Sequence, residues 1–426
     1  MESAGTSVNS SRQLSAVSSK LKADSYKALM PTLPDSKSYD VLVVGMGPAG
    51  ATAAYELSRA GMAVLGLDKQ SHPRYKVCGG GLSSRIDKIL DEEYKSVVEH
   101  TVYGVQFTYR GEKPFLIQSP TPIAFMVMRD RFDHLLLEKA RRAGTEVHEG
   151  EQVLQFIQLP DGVEVITDRG QYKTKVLIGA DGANSIVAQR LFPDRRLSRM
   201  PTLESEMGIG RQPVYPGEGK VLIDLGAAAQ GYAWIFPKKE RLSIGVAEFK
   251  GRPASPRGVF DRFIRDEKAL SHMAVPRPHG HPLPLFSASG ASAPDGLVRH
   301  RALLVGDAGH LVDPLFGEGI YYAVRSGQLA AASVLGTFHD SRRSLLDYET
   351  DVIREIYAEF RVASRVARIV YTFPRLCHQL MHRYQEVINL YYEVLQGRES
   401  YQSFFRKSKG LVKASFREIL KETLTF

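Results

Sequence analysis

Residues 39–69 read YDVLVVGMGPAGATAAYELSRAGMAVLGLDK. Val41 to Val44 form a short, wholly apolar run, suited to a strand buried on both faces. The run stops at Gly45, Gly47 and Gly50, which stand in the G-x-G-x-x-G spacing. The first glycine permits a tight turn, the second lets backbone approach a pyrophosphate, and the third lets the next helix pack close to the strand. That helix presents its N-terminus to the phosphates. A second apolar stretch, Ala63 to Leu67, ends at Asp68, about 20 residues on, where a carboxylate can accept from ribose hydroxyls. Strand, turn, helix, strand and acid arrive in the order a dinucleotide requires.

Working outward, Pro73 to Leu82 contains VCGGGL and is too rich in glycine and proline for a helix interior; its three glycines suggest backbone laid flat against something. Val102 to Tyr109 alternates as a strand does. A helical pattern opens at Met128-Arg129 with Phe132, Leu135, Leu136 and Ala140 on one face, and Asp133 and His134 are expected at solvent. Ile157 to Ile166 and Tyr172 to Ile178 predict two strands, the second ending at the small residues Gly179 to Ser185. Lys220 to Leu225, Tyr232 to Phe236 and Leu242 to Ala247 predict a second sheet walling a pocket, with the single tryptophan, Trp234, between Tyr232 and Phe236. A short helical pattern surrounds Phe260 to Ile264. Ala302 to Val305 predicts a buried strand leading into Gly306-Asp307-Ala308-Gly309-His310 and Pro314 to Ile320, where an acid at a strand end again suits phosphate and polyol binding. His310 reads as structural. Helices dominate the last hundred residues, with Leu346, Ile353, Tyr357 and Phe360 on one face and Tyr384, Val387, Ile388, Tyr391 and Leu395 on another.

With 426 residues, 43% of them hydrophobic, the chain can bury a substantial core. Its two cysteines, Cys78 and Cys377, offer no bridge framework or metal-ligand spacing, so no disulfide and no metal are expected. No apolar run reaches the roughly 18 residues of a spanning helix. Residues 1–38 are serine-rich and predict a disordered leader rather than a transit peptide, since Arg12 is their sole arginine; the lack of a secretory signal and of a disulfide framework predicts a cytoplasmic location. The net charge is +9, and from Arg361 onward twelve Lys and Arg face five Glu. This basic face allows peripheral contact with an anionic membrane; no single-strand module or helix-turn-helix accompanies it, so no nucleic acid is expected.

Taken together, the chain resembles the flavoprotein superfamily that includes aromatic hydroxylases and, within it, the geranylgeranyl reductase family. Three ordered motifs carry the superfamily likeness: Gly45 to Gly50 with Asp68, Asp181-Gly182, and Gly306-Asp307. PRYKVCGGG (73–81) and YAWIFP (232–237) carry the family likeness. Gly245 follows the second segment as expected, but Ala247 replaces a second glycine, and Gly309 stands where the superfamily has alanine. The resemblance implies an α/β (α+β overall) chain: a Rossmann-like FAD-binding domain (39–100, 125–200 and 297–340) interleaved with an antiparallel-sheet substrate domain (101–124 and 201–296), then a helical basic region (341–426). It implies FAD held by Gly45, Gly47, Pro48, Ala49, Gly50, Asp68, Lys69, Cys78, Gly79, Gly80, Arg129, Val153, Asp181, Gly182, Asp307, Gly317, Gly319 and Ile320. Asp68 would hold the adenosine ribose, Arg129 would lie near flavin and pyrophosphate, and Gly317, Gly319 and Ile320 beside the isoalloxazine.

The implied activity is reduction of carbon–carbon double bonds in a geranylgeranyl chain carried by a lipid, pigment or diphosphate. Tyr232, Trp234, Phe236 and Pro237 would line an apolar pocket, worth roughly 25 cal/mol per Å² of chain buried. Cys78, Tyr232 or an ordered water could supply the proton, with Cys78, Tyr232 and Trp234 the expected catalytic residues. NADPH or a reduced protein such as ferredoxin would be the electron donor. The same scaffold also serves monooxygenases and halogenases of apolar substrates, which oxygen consumption separates from reductases. A surface-binding protein that merely retains the fold is argued against by the intact FAD motifs.

Overall fold

The computed structural model describes residues 37–195, 199–210, 215–248, 255–286 and 296–410. Residues 1–36 of the expected leader, the segments 249–254 and 287–295, and the basic residues Lys413, Arg417 and Lys421 lie outside the described residues.

Eight strands form the first sheet: β1 (Ser38–Val44), β2 (Val64–Asp68), β8 (Glu146–Glu149), β9 (Val153–Gln158), β10 (Val163–Thr167), β11 (Gln171–Gly179), β17 (Val298–Arg299) and β18 (Ala302–Leu304). Its parallel centre runs β18-β11-β1-β2-β8, and the β9–β10 hairpin extends it antiparallel from the first half of β11. The register sets Val44 beside both Gly179 and Leu67, and Gly179 beside Leu304. Strand ends separated by more than two hundred residues therefore stand side by side, and the loops bearing all three motifs emerge from one edge, where open parallel sheets bind ligands. The helices α1 (Pro48–Arg59), α2 (Arg129–Arg142) and α5 (Ile320–His339) pack together, α1 touching both others. Close approach of α5 to α1 depends on Gly327, where a Cβ would lie 2.5 Å from the Ala49 carbonyl oxygen.

The second sheet has seven strands: β5 (Gly104–Tyr109), β6 (Glu112–Gln118), β12 (Met200–Gly208), β13 (Lys220–Leu225), β14 (Gly231–Pro237), β15 (Arg241–Glu248) and β16 (His279–Leu283), in the order β16-β12-β15-β14-β13-β5-β6. All pairs are antiparallel except β13 with β5. Alternation along β14 divides its two faces. Ala233 and Ile235 join a core with Phe260 and Phe263 of α4 (Pro256–Asp266), whereas Tyr232 and Trp234 face the chain's last helices. A small third sheet, β3 (Gly81–Ser83), β7 (Ala124–Val127) and β4 (Val98–Val102), joins the two larger ones. The short helix α3 (Ile186–Leu191) follows β11.

Several expectations are corrected. Ile157 to Ile166 is not one strand: Pro160-Asp161-Gly162 turns it into a hairpin. Asp133, expected at solvent, is fully buried because Arg129 one helical turn earlier folds back on it. Leu346 opens α6 (Leu346–Val352) exposed, while Tyr357 and Phe360, at the end of and just beyond the π-helical stretch Ile353–Tyr357, are buried. The C-terminus goes beyond the expected helical, basic region. Beyond α7 (Ala358–Thr372), α8 (Pro374–Arg383) and α9 (Glu386–Leu395), residues 401–410 are also helical. Tyr371, Tyr391, Tyr392, Tyr401 and Phe404 from this region share a core with Tyr232 and Trp234. The region is half of the aromatic interior and not merely a basic surface.

Candidate functional site

The three glycines of the first turn differ in what their missing side chains leave room for. At Gly45, with φ +94°, a Cβ would stand 2.5 Å from the Ala180 carbonyl oxygen, and at Gly50 one would stand 1.9 Å from the Gly45 carbonyl oxygen. Both are needed for the chain's own packing. At Gly47, the residue preceding α1, the nearest atom to a Cβ is Nη2 of Arg74, 3.5 Å away. Open space faced by a cation at a helix N-terminus is what a pyrophosphate requires. Pro48 and Ala49 open α1, and Pro48 lacks the amide proton that would otherwise go unbonded there.

Around this space the cations outnumber the carboxylates that hold them. Arg129 donates through Nε and Nη2 to the two oxygens of Asp133, both at 2.8 Å, and Arg74 Nη2 lies 3.3 Å from the same carboxylate. Burial opposes the charge on Arg129, but Asp133 and the neighbouring Cys78 raise its pKa above the ordinary range. Lys76 is pushed down by burial and by Arg129, and its Nζ sits 2.6 Å from Nε2 of His281. Burial, Lys76 and Arg129 push His281 down to about 4, so it accepts this bond as the neutral imidazole. Nη1 of Arg74 is buried with no hydrogen-bond partner. A buried donor left unpaired within a cluster of three cations, Arg74, Arg129 and Lys76, that shares one buried carboxylate fits the diphosphate of a dinucleotide.

Asp68 ends β2 almost fully buried. Burial pushes its carboxyl up, but His72 and the amides of Gln70 and Met46 together hold it below the usual range. Oδ2 accepts from Met46 N at 2.9 Å and Oδ1 from Gln70 N at 2.9 Å, which leaves Oδ1 a lone pair for a ribose hydroxyl. Lys69 follows it, exposed. At the second motif, Asp181 is engaged within its own loop, accepting from Ser185 Oγ and from the amides of Ile186 (2.6 Å) and Val187 (3.3 Å) at the start of α3. Gly182, at φ +79°, has open space where a side chain would be. Val153 is buried at the start of β9 within the first sheet's core. At the third motif, Asp307 Oδ1 lies 3.5 Å from where a Cβ of Gly319 would be, just before Ile320 begins α5, so this acid and that helix N-terminus share one small space.

The three glycines after Cys78 do lie flat, Gly79 against the aromatic strand β14 and Gly80 and Gly81 against β7. A Cβ on Gly79 would be 2.9 Å from Phe236 and 3.3 Å from Nε1 of Trp234, and one on Gly80 would strike the Val127 carbonyl oxygen at 2.1 Å. Trp234 in turn lies over Gly245, its partner across β15, where a Cβ would be 2.0 Å from the indole. That explains the glycine in this segment. Ala247, the departure from the family pattern, pairs with Tyr232 instead. The indole is anchored by a chain in which Trp234 Nε1 donates to Ser243 Oγ (3.3 Å), Ser243 Oγ to Glu204 (2.9 Å), and Tyr75 OH to the other Glu204 oxygen (3.0 Å). Tyr232 donates its hydroxyl to the Phe316 carbonyl at 2.6 Å and stacks with Tyr371 at 6.5 Å. Phe236 is only partly buried, and Pro237 is buried beside it. Gly317, at φ +67°, brings its loop within 3.7 Å of the Tyr232 hydroxyl, measured from where a Cβ would be. Cys78 is half-buried beside Arg129 and within electrostatic reach of Tyr232; its Sγ accepts from Gly80 N at 3.4 Å.

Sequence reading missed several of these groups. Asp133 was detectable as the i+4 partner of Arg129, and Arg74 and Lys76 lay inside a segment quoted only as a signature. His281 carries no local signal, since it stands 205 residues from Lys76. Asp313 is also new. It is 1% exposed, its Oδ1 accepts from Leu315 N (2.7 Å) and Phe316 N (3.2 Å), and Oδ2 has no donor. Burial and then Glu318 raise it from the ordinary 3.8 to about 6, against the pull of Tyr401 and the Leu315 amide. Because the folded value is raised, its contribution to stability is complete below about pH 4 and lost as pH rises through about 6. Asp313→Asn, which keeps the accepting oxygen, should therefore be more stable than the natural chain by about 3 kcal/mol at pH 8. Denaturant titrations at pH 8 and pH 4 check this: the advantage should vanish at the lower pH, and an equal difference at both would exclude Asp313 as its source.

Fold and site together define an FAD-dependent oxidoreductase, and the FAD binding domain family matches residues 38–209. The chain is 30% identical to geranylgeranyl diphosphate reductase of Rhodobacter capsulatus, over 70% of its own length and 75% of the relative's. It is also 30% identical to digeranylgeranylglycerophospholipid reductase of Thermoplasma volcanium, over 69% and 77% respectively. The chain belongs to the geranylgeranyl reductase family. A solved geranylgeranyl bacteriochlorophyll reductase-like protein from Thermoplasma acidophilum shares the fold, with TM-score 0.67, 24% identity, and coverage of 78% of this chain and 87% of that one.

Proposed function

We propose that the protein reduces isolated double bonds of a geranylgeranyl or similar polyprenyl chain borne by a lipid, pigment or diphosphate. The observation carrying this reading is the division of the site: charges gather at the dinucleotide end around Gly47, while the wall against Gly79 is the buried aromatic set Tyr232 and Trp234 with Phe236 at its edge. Such a wall grips hydrocarbon and offers a polar substrate few partners. Bound FAD, once reduced by NADPH or by a protein such as ferredoxin, supplies hydride equivalents. The chain supplies the rest. Gly47, Arg74, Arg129 and the α1 N-terminus hold the pyrophosphate, Asp68 the ribose, and Asp307 with Gly319 the polyol end, with Pro48, Ala49, Lys69, Gly79, Gly80, Val153, Gly182, Gly317 and Ile320 lining the remainder. Tyr232 fixes the Phe316 carbonyl and the loop it belongs to, Trp234 fixes the wall, and the aromatic core they share excludes water. Adding hydrogen across an alkene also takes one proton, and Cys78 Sγ, beside Arg129, is the group we assign to deliver it.

Anaerobic mixing of the reduced holoprotein with geranylgeranyl diphosphate or a geranylgeranylated lipid should reoxidise the flavin and yield saturated carbon. Cys78→Ser, a similar shape but a far weaker acid, should retain flavin yet turn over about a hundredfold more slowly. If prenyl substrates leave the flavin reduced without oxygen, and air then gives an oxygenated product, the protein is a monooxygenase and this reading fails.

A further inference from the structure

Helices α7 and α8 have two unlike faces. Val362, Ala363, Ala367 and Tyr371 are buried against the aromatic core, and Phe360 in the core of the first sheet. Away from it, four large apolar side chains stand open to solvent in a row across the junction of the two helices: Ile369 (50% exposed), Phe373 (56%), Leu376 (52%) and Leu380 (37%). Single exposed apolar residues are ordinary, but four within twelve positions form a patch that requires an occupant. The charge around it is of one sign. From Arg361 to Gln385 the sequence holds five arginines and no Asp or Glu, and all five arginines are exposed. Farther along, the excess is partly cancelled, because Arg398 pairs with Glu393 and Lys407 with Glu399. The basic character of the C-terminal region is thus concentrated where the apolar row is.

We propose that Ile369, Phe373, Leu376 and Leu380 dock on the surface of an anionic lipid bilayer, with Arg365, Arg368, Arg375 and Arg383 set against its phosphates. Apolar side chains on one side and arginines beside them, with no acid between, match the interfacial region, where tips enter the acyl boundary and guanidinium groups stay at headgroup level. An acidic protein partner would satisfy the arginines but not the row they flank. No helix of the described residues is long and apolar enough to cross a membrane, so contact is peripheral. The same α7 carries Tyr371, stacked on Tyr232, so a docked molecule holds its aromatic wall one helix away from the lipid. The inference rests on the prenyl-lipid reading for its purpose alone; the patch and its charge stand without it.

The test uses the full-length holoprotein, sedimented with vesicles of phosphatidylcholine alone or mixed with phosphatidylglycerol. The natural chain should bind the anionic vesicles and bind less as salt rises. Phe373→Asp/Leu376→Asp should lose more than about tenfold in vesicle affinity. Replacing the four arginines with glutamine should lose about fivefold for each at low salt. Both variants change exposed residues and should keep their flavin and the anaerobic reoxidation by detergent-dispersed substrate. Equal binding of the apolar variant and the natural chain overturns the proposal. So does conversion of a dimer to a monomer with vesicle binding unchanged, which would make the row a subunit interface. Failed reoxidation with intact vesicle binding would instead overturn the reductase reading and leave the docking surface standing.

Discussion

Gly47→Val should give a folded, colourless protein, whereas Gly50→Val should give little folded protein at all. The two residues belong to one motif, and only the space around them separates the outcomes. At Gly50 a Cβ would be 1.9 Å from the Gly45 carbonyl oxygen, so the turn and the start of α1 must part, and that packing anchors the central strand. At Gly47 the nearest atom is the end of the flexible Arg74 side chain at 3.5 Å, so the unliganded chain accepts a branched side chain there. FAD does not, because its pyrophosphate needs that volume and the amides at the helix N-terminus. Overpacking costs about 1–3 kcal/mol, and the displaced phosphate contacts add to it, so affinity should fall by at least about a hundredfold. Circular dichroism and the visible flavin spectrum of the two purified variants decide the matter. A Gly47→Val protein with stoichiometric flavin would place the pyrophosphate elsewhere.

Asp133→Asn should weaken the protein severely when FAD is absent and much less when it is present. The carboxylate is fully buried, receives both arms of Arg129 and lies 3.3 Å from Arg74. Removing one partner of a buried ion pair leaves uncompensated charge, at a cost of about 3–5 kcal/mol. FAD carries a diphosphate into the same cluster, so a ligand that binds only the folded chain should recover more stability in the variant than in the natural protein. Thermal unfolding of each with and without FAD measures this. Equal stability of the two apoproteins would show that Asp133 does not hold the cation cluster together.

The charged half of the site was only partly legible because its members are joined in space and not along the chain. Arg129 and Asp133 are one helical turn apart and follow from helix geometry alone. Arg74 reaches the same carboxylate from a loop about sixty residues earlier, and nothing in PRYKVCGGG says which acid it meets. The glycines of that loop signalled flat packing, and flat packing was found; that the surface beneath Gly79 is Phe236 and Trp234 depends on where the second sheet lies.

What the sequence by itself determined is local. The run Val41 to Val44, the G-x-G-x-x-G turn and the acid at Asp68 specify a βαβ start because strand burial, positive φ and helix approach act over a few neighbouring residues. The same is true of the apolar runs Lys220 to Leu225, Tyr232 to Phe236 and Leu242 to Ala247, which fall within strands β13, β14 and β15 and are buried along nearly their whole length. The tertiary structure alone decided which surfaces meet. Parallel pairing of β1 with β11, and of β11 with β18, brings three distant motifs to one edge. The fold of the last hundred residues onto the second sheet makes Tyr371, Tyr391 and Tyr401 part of the aromatic interior and leaves Ile369, Phe373, Leu376 and Leu380 outside. The reason is that periodicity shows a helix has an apolar face but not what covers it: on α7 and α8 two apolar faces compete, and only one has a sheet to rest on.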